Sequence, residues 1–346
     1  MSRAQLTSTD QQNSGGAVSP FLAGKNKIIN GDFAISQRGS SFSNPSLFAY
    51  TLDRWRMVSN NSGGTVTISQ QAFTPGSAPV AGYEGAYFFR NAASSPTGAS
   101  YNVIQHLVED VRTLAGQTAT LSFWAKADAS RSFTLGAYQN FGSGGSSEVT
   151  ITSPGSPSVT TSWQRFSYSF AVPSISGKTI GTGSSFRIEL ALPVNTTQTF
   201  DIWGVQLEAG SVATPFTTAS NTLQGELALC QRYFQKSYPQ GIAPATNSVI
   251  GGIATAPAPS NIGTLGYIGN VRYPVVMRTS PTVTIYSYTS STASAVSNGG
   301  GSDQAVGTGA AGLNNDSGFT VQNTTAGTIT TAYNAFIWHY TASAEL

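Results

Sequence analysis

Apolar and polar residues alternate with a period of two along much of the first two thirds of the chain. The stretch TTSWQRFSYSF, residues 160–170, places Phe166, Tyr168 and Phe170 on one face with serines between them. TATLSFWAKA, residues 118–127, has the same alternation. Clusters of Gly, Pro, Ser and Asn separate such runs, as turns do. The pattern predicts half-buried strands arranged as two sheets packed face to face, an all-β sandwich.

Three side chains on the polar faces of these strands are candidates for carbohydrate binding: Trp124, Tyr138 and Arg165. Trp124 and Tyr138 share one side of the sheet if their strands form a hairpin across the sequence DASR. Aromatic rings exposed among serine, threonine and arginine offer an apolar face to a sugar ring and polar partners to its hydroxyls. The alternative is that loops, the N-terminal arm or a neighbouring subunit cover these rings, with Trp163 closing the end of the sandwich.

One segment has a helical period instead. In NTLQGELALCQRYFQK, residues 221–236, an apolar residue recurs every three or four positions, at Leu223, Leu227, Cys230 and Phe234. This spacing predicts one apolar stripe on a helix. Such a stripe cannot cover itself, so it packs on a domain or on copies of itself. Its heptad-like spacing predicts an oligomer interface formed by these four residues.

The remaining chain divides around this helix. Residues 1–24 are polar and without periodicity, which predicts an extended arm. Residues 25–217 form the predicted sandwich, and residues 218–238 the connecting helix. The Gly- and Thr-rich residues 239–346 predict a second β domain, in which the nearly low-complexity residues 297–316 are expected to form a long loop.

Composition and charge exclude several function classes. Charged residues make up 9% of the 346 residues, and the formal net charge is +2. The basic residues are scattered, whereas a nucleic-acid groove needs them clustered, so we expect no nucleic-acid partner. No stretch approaches the roughly 20 apolar residues of a membrane span, so we expect no membrane insertion. Cys230 is the single cysteine, which leaves no disulfide within the chain.

Side chains suited to catalysis are scarce. His106 and His339 are the two histidines, too few for a histidine cluster, and we expect both to be structural. Glu109 and Asp110 are adjacent, and neighbours in a strand point to opposite faces, which does not suit a two-carboxylate glycosidase site. A pair assembled from distant loops stays open. The sequence contains no P-loop, dinucleotide fingerprint or G-x-S-x-G motif. We therefore predict that the chain is not an enzyme and needs no cofactor.

Five separated blocks, in the same order, resemble bacteriophage virion proteins of the tail-fibre type. They are NKIINGDFAISQRG, YTLDRW, VEDVRTLAGQTATLSFWAKAD, TTSWQRFSYSF and GVQLEAGSVATPFTTAS with GELALCQRYFQKSY, within residues 26–238. The resemblance implies that the first half is a jelly roll like that of carbohydrate-binding modules. The predicted fold is therefore all-β: a jelly-roll β-sandwich and a second, C-terminal β domain, joined by one short helix.

The resemblance also implies a function. It implies a virion structural protein, most simply a tail-fibre or similar appendage subunit, assembled in the host cytoplasm and released by lysis. The arm, residues 1–24, would attach to other virion proteins, and the β domains would face outward toward a host-surface glycan. Fibre proteins close around a threefold axis, so the resemblance implies a homotrimer. The alternatives are a stand-alone carbohydrate-binding protein, and a head or baseplate decoration protein without receptor binding.

Related carbohydrate-binding jelly rolls often hold a structural calcium ion between an opening Asn-Gly-x-Phe-Glu motif and a late aspartate. The opening here runs from Asn30 to Ala34, so the glutamate position is an alanine. Asp201 matches the late aspartate, and Asp32 is the residue that would substitute for the glutamate. Calcium takes six to eight oxygen ligands and is poorly served by this set. We therefore predict no metal, with Asp32 and Asp201 as the remaining calcium candidates.

Overall fold

The computed structural model describes residues 24–80, 83–255, 266–298, 301–308, 314–324 and 335–346. The predicted arm, residues 1–24, lies outside the described residues apart from Gly24. Strands dominate the described chain, and these residues contain one α-helix. The predicted all-β class is confirmed.

Two six-stranded antiparallel sheets pack face to face. In spatial order, sheet A consists of β1 (Ser41–Ser43), β4 (Gly63–Ala72), β5 (Tyr87–Thr97), β14 (Gln198–Ala209), β7 (Thr118–Ala127) and β12 (Gln164–Ala171). Sheet B consists of β10 (Val149–Gly155), β9 (Thr134–Asn140), β13 (Ser185–Ala191), β6 (Tyr101–Val108), β3 (Trp55–Asn60) and β2 (Ala49–Tyr50). A short separate pair is formed by β8 (Arg131–Ser132) and β11 (Ser158–Val159). The chain passes repeatedly from one sheet to the other, as in a jelly roll.

The core of the sandwich lies between the inner faces of the two sheets, where the alternation predicts it. Leu121 and Phe123 of β7 are fully buried there. On β12, at the edge of sheet A, Phe170 is buried while Phe166 and Tyr168 pack half-buried against the same core. The period of two matches the pleat of a strand, so one face of each strand is apolar and turns inward.

β7 and β9 do not form the hairpin that would place Trp124 and Tyr138 on one side of the same sheet. β7 pairs with β12 and β14 in sheet A, whereas β9 pairs with β10 and β13 in sheet B. Their apolar rows meet across the core instead, and the ring centroids of Phe123 and Phe133 are 6.0 Å apart. Two strands with apolar inner faces bury more surface by facing each other than by lying side by side.

The helix, α1 (Leu223–Gln231), is shorter than the predicted residues 221–236. Thr222 caps it, and the Gly225 N–H donates to the Thr222 hydroxyl at 3.0 Å. Phe234 lies beyond its end in β15 (Phe234–Lys236), because this segment pairs with the C-terminal strand. Within the described part of the chain, no helix has the length and apolar character needed to cross a membrane.

The second β unit is one eight-stranded sheet. Its strands are β15, β16 (Ile253–Ala254), β17 (Tyr267–Arg272), β18 (Thr282–Ser287), β19 (Ala295–Asn298), β20 (Asp303–Thr308), β21 (Gly318–Asn323) and β22 (Phe336–Ser343). β20 falls inside residues 297–316, so the expected continuous loop is wrong there. Val306 of this strand is buried in the core of the sheet, which explains why the segment is ordered as a strand.

The C-terminal residues fasten this sheet to the sandwich. The Glu345 carboxylate pairs with Arg38 at 2.9 Å and with Arg54, whose side chain is almost fully buried. The Tyr50 hydroxyl donates to the Leu346 carbonyl oxygen at 2.9 Å. We call these contacts the C-terminal latch.

Candidate functional site

Trp124 does not offer a free face to a ligand. It lies on the outer face of sheet A and is 7% exposed. Its ring centroid is 5.3 Å from that of Trp203 and 6.4 Å from that of Phe216. Loop residues Phe73 and Tyr83 belong to the same cluster. The prediction of Trp124 as a sugar platform is therefore wrong, because loops distant in sequence cover this face of the sheet.

Arg165 contributes to the same cover. Its guanidinium lies 4.7 Å from the centroid of the Trp124 ring and donates to the Thr214 carbonyl oxygen. Trp163, next to β12, is half-buried against Phe73, with ring centroids 5.7 Å apart. Arg165 is therefore placed as part of the packing over Trp124 rather than beside an open ring, and the prediction that it joins Trp124 in a sugar site is wrong.

Tyr138 lies on the other sheet, on the outer face of sheet B. The Tyr138 ring packs against the backbone of its own strand at Gly136. Any side chain at position 136 would clash with the ring, because its Cβ would lie 2.8 Å away. The Arg187 guanidinium is 4.3 Å from the ring centroid on the neighbouring strand. Burial and the charge of Glu189 raise the pKa of Tyr138. Of the two predicted aromatic sugar-binding residues, Trp124 is buried and Tyr138 is partly exposed.

A row of polar side chains crosses sheet B from Tyr138. Arg187 pairs with Glu148 at 2.9 Å and with Glu189 at 2.7 Å. Gln105 Nε2 donates to Glu189 Oε1 at 2.5 Å. Arg56 donates to Gln105 Oε1 through Nε at 2.9 Å and through Nη2 at 2.6 Å. Each side chain is thus held in place by the next one along the row.

One exposed aromatic ring flanks the far end of this row, and a second lies farther along β6, opposite Asn60. Phe48, which precedes β2, is 52% exposed, and the Arg56 guanidinium lies 5.2 Å from its ring centroid. Tyr101 of β6 is 51% exposed and has the outward parity of Gln105. Four strand spacings separate β9 from β2, so the row spans about 19 Å. We call this surface the sheet B platform: Tyr138, Arg187, Glu189, Gln105, Arg56 and Phe48.

The alternation of apolar and polar residues predicts which side chains of this platform point outward. In FRIELAL, residues 186–192, Phe186 and Ile188 are buried, so Arg187 and Glu189 between them point outward. What the alternation left undetermined is which strands lie side by side. The platform depends on β9, β13, β6 and β3 being neighbours, and that order comes from the tertiary fold.

The calcium candidates are not arranged as a metal site. Asp201 receives two hydrogen bonds from Arg90, at 2.7 and 2.8 Å, and lies 3.5 Å from Lys126. The Asp201 carboxylate thus already has two cationic partners, Arg90 and Lys126. The candidate assignment of Asp201 as a calcium ligand is therefore wrong. Burial and the nearby Glu226 raise the pKa of Asp32 to about 6. Among the described residues, no three His, Cys, Asp or Glu side chains group as metal ligands do.

Replacing Asp32 by asparagine will stabilise the protein at pH 7.5. The pKa of Asp32 is raised from 3.8 to about 6 on folding, so the unfolded chain loses this proton first and stability falls as the pH rises through that window. Asp32→Asn removes the charge, and we expect a gain of about 1–2 kcal/mol at pH 7.5 and little change near pH 4. Thermal denaturation at the two pH values measures it.

Asp128→Asn is the control, and its expected effect on stability has the opposite sign. The hydrogen bond from Arg131 lowers the pKa of Asp128, so the folded state favours the charged carboxylate and the substitution should destabilise the protein at pH 7.5. A calcium ion on Asp32 would reverse the expected result. Asp32→Asn would then destabilise the protein at pH 7.5, and a chelator would lower the melting temperature of the wild type.

The side chains considered for catalysis have partners within the fold. His106 is fully buried with Nε2 3.1 Å from the Ile29 carbonyl oxygen, and burial lowers its pKa. His339 Nδ1 is 2.9 Å from the Ser237 hydroxyl. Glu109 accepts a hydrogen bond from the Tyr233 hydroxyl at 2.8 Å. The two histidines thus occupy structural positions.

The predicted oligomer stripe is not one continuous surface. Cys230 is fully buried, and burial raises the pKa of its thiol. Phe234 is buried in β15 beneath the Arg38 guanidinium, 3.7 Å from its ring centroid. Leu227 is half-buried and Leu223 is 65% exposed. The prediction of a shared seam is therefore wrong for Cys230 and Phe234, which pack within their own chain, and the homotrimer stays a prediction.

Neither a protein-family model nor a curated protein sequence matches this chain. Among solved structures, a CBM4 structure is similar, with 16% sequence identity and a TM-score of 0.33. The match covers 53% of this chain and 99% of the CBM4 chain. A putative sugar-binding protein from Bacteroides thetaiotaomicron is similar at 14% identity, 54% of this chain, all of that chain (100%) and a TM-score of 0.36. The enzymatically active domain of bacteriophage CBA120 tailspike protein 4 is similar at 16% identity, 56% of this chain, 22% of that chain and a TM-score of 0.34.

The pairing of its own strands defines the sandwich as a jelly roll.

Proposed function

We propose that this chain is a non-enzymatic structural protein of a phage virion, an appendage subunit that binds a host-surface glycan through the sheet B platform. The observation that supports glycan binding most directly is the hydrogen-bonded row from Arg187 to Arg56, with Tyr138 at one end and Phe48 at the other.

The platform matches the two requirements of a saccharide. A sugar ring has an apolar C–H face that stacks on an aromatic ring, and hydroxyls at its edge that need donors and acceptors. The row supplies guanidinium donors from Arg187 and Arg56 beside the Glu189 carboxylate, and the buried Gln105 amide holds Arg56 and Glu189 in place. Because these side chains already hold one another, little rotamer freedom is lost when a ligand binds.

The virion part of the proposal is supported by the five sequence blocks that resemble tail-fibre proteins. In this proposal residues 1–24 attach to other virion proteins, the protein is a homotrimer, and no nucleic acid or cofactor takes part. A stand-alone carbohydrate-binding protein is the second candidate, because the platform is formed within one chain and needs no virion partner. The platform does not favour the third candidate, a head or baseplate decoration protein without receptor binding, because that role involves no ligand for these side chains.

Replacing Tyr138 by alanine will weaken glycan binding about tenfold or more, because truncating an aromatic side chain that anchors a ligand removes a large share of the affinity. Binding to a printed glycan array measures it, with the melting temperature expected to stay within a few degrees. Tyr87→Ala is the matched control, an exposed tyrosine on sheet A. Unchanged array binding by the double variant Phe48→Ala/Tyr138→Ala would contradict the assignment of this surface.

A further inference from the structure

Charge is unevenly distributed along the sheet B platform. Arg187 has a carboxylate on each side, Glu148 and Glu189. Arg56 differs, because its structural partner is the neutral Gln105 and no carboxylate of the described chain lies within 4.0 Å of its guanidinium. Arg56 is therefore the arginine of the platform that lacks a direct carboxylate contact, although Glu189, bonded to the same Gln105 amide, still acts on it as a counter-charge.

The guanidinium of Arg56 is also fixed in orientation. Two of its N–H groups donate to Gln105 Oε1, and its plane lies over the Phe48 ring at 5.2 Å. A guanidinium has five N–H donors in a planar fork, so three remain for a ligand. A carboxylate matches this fork, since it accepts two parallel hydrogen bonds.

We propose that the ligand is an acidic saccharide, whose carboxylate binds Arg56 while the ring of the same or the next sugar stacks on Phe48. This inference rests on the proposed glycan-binding function and narrows it to a chemical class. The other nearby cation cannot take this role, because Arg54 is almost fully buried and pairs with Glu345. A neutral sugar would form no ion pair with Arg56, whereas a carboxylate would supply the direct contact that this guanidinium lacks.

The test compares acidic oligosaccharides with uncharged counterparts of the same linkage. The probes are oligogalacturonides beside their methyl esters, and glucuronan beside cello-oligosaccharides, printed on one array. We expect the wild type to bind an acidic member at least tenfold more tightly than its uncharged counterpart, and this binding to weaken as salt is raised. Arg56→Gln should lose about tenfold to hundredfold in affinity, and Arg56→Lys should recover a part of it.

Arg165→Gln is the matched control, because it removes an arginine from the outer face of sheet A and should leave binding unchanged. Wild-type binding that is equal for acidic and uncharged members, and unchanged in Arg56→Gln, overturns this inference and leaves glycan binding intact. An array on which the wild type binds no saccharide contradicts the proposed function itself, and this inference with it.

Discussion

Replacing Trp124 by alanine will destabilise the protein by about 3–5 kcal/mol, the usual cost of removing a large buried aromatic side chain. Trp124 is 7% exposed and packs against Trp203 and Phe216. A Cβ at Gly204 would lie 2.7 Å from the Trp124 ring, so strand β14 fits closely against it. The cavity left by alanine would lie beneath Phe216, and the cluster has few ways to close it.

Thermal and denaturant unfolding measure this effect, and the melting temperature should fall by roughly 10 °C. Tyr138→Ala is the matched control, because it removes an aromatic ring from the partly exposed face of the other sheet and should cost far less. If Trp124→Ala instead kept its stability and lost glycan binding, Trp124 would be an exposed ligand platform and the packing described for sheet A would be wrong.

Replacing Glu345 by glutamine will destabilise the contact between the C-terminal sheet and the sandwich by about 3–5 kcal/mol. The substitution leaves Arg38 and Arg54 without their carboxylate, and removing one partner of a buried ion pair is costly because a charge stays buried and unpaired. Arg54 suffers most, since its side chain is 1% exposed and its guanidinium lies 3.5 Å from the centroid of the Tyr233 ring.

Denaturant unfolding and limited proteolysis between α1 and β16 will detect the loosened C-terminal latch. Glu148→Gln is the control, a more exposed carboxylate paired with Arg187, and should cost less than about 1 kcal/mol. The double variant Arg54→Leu/Glu345→Leu should recover part of the loss, because it removes the more deeply buried charge of Arg54 together with Glu345 and leaves only the more exposed Arg38 unpaired. Equal stability of Glu345→Gln and the wild type would show that the latch does not hold the two units together.

The inward faces of the strands could be predicted from the sequence alone. In β7, Leu121 and Phe123 alternate with polar residues, and in β13, Phe186 and Ile188 do the same; all four are buried in the sandwich core. A strand has a repeat of two residues, so a local pattern is enough to show which side turns inward. The all-β class follows from many such strands.

Which residues cover the outer faces was decided by the tertiary structure. Trp124 and Tyr138 have the same outward parity in their strands, yet Phe73 and Phe216, far away in sequence, bury the first and leave the second partly exposed. Phe234 continues a helical spacing, but pairing with β22 places it in a strand. Strand order and loop cover depend on contacts between distant residues, and the energy of such contacts leaves no periodic trace in the local sequence.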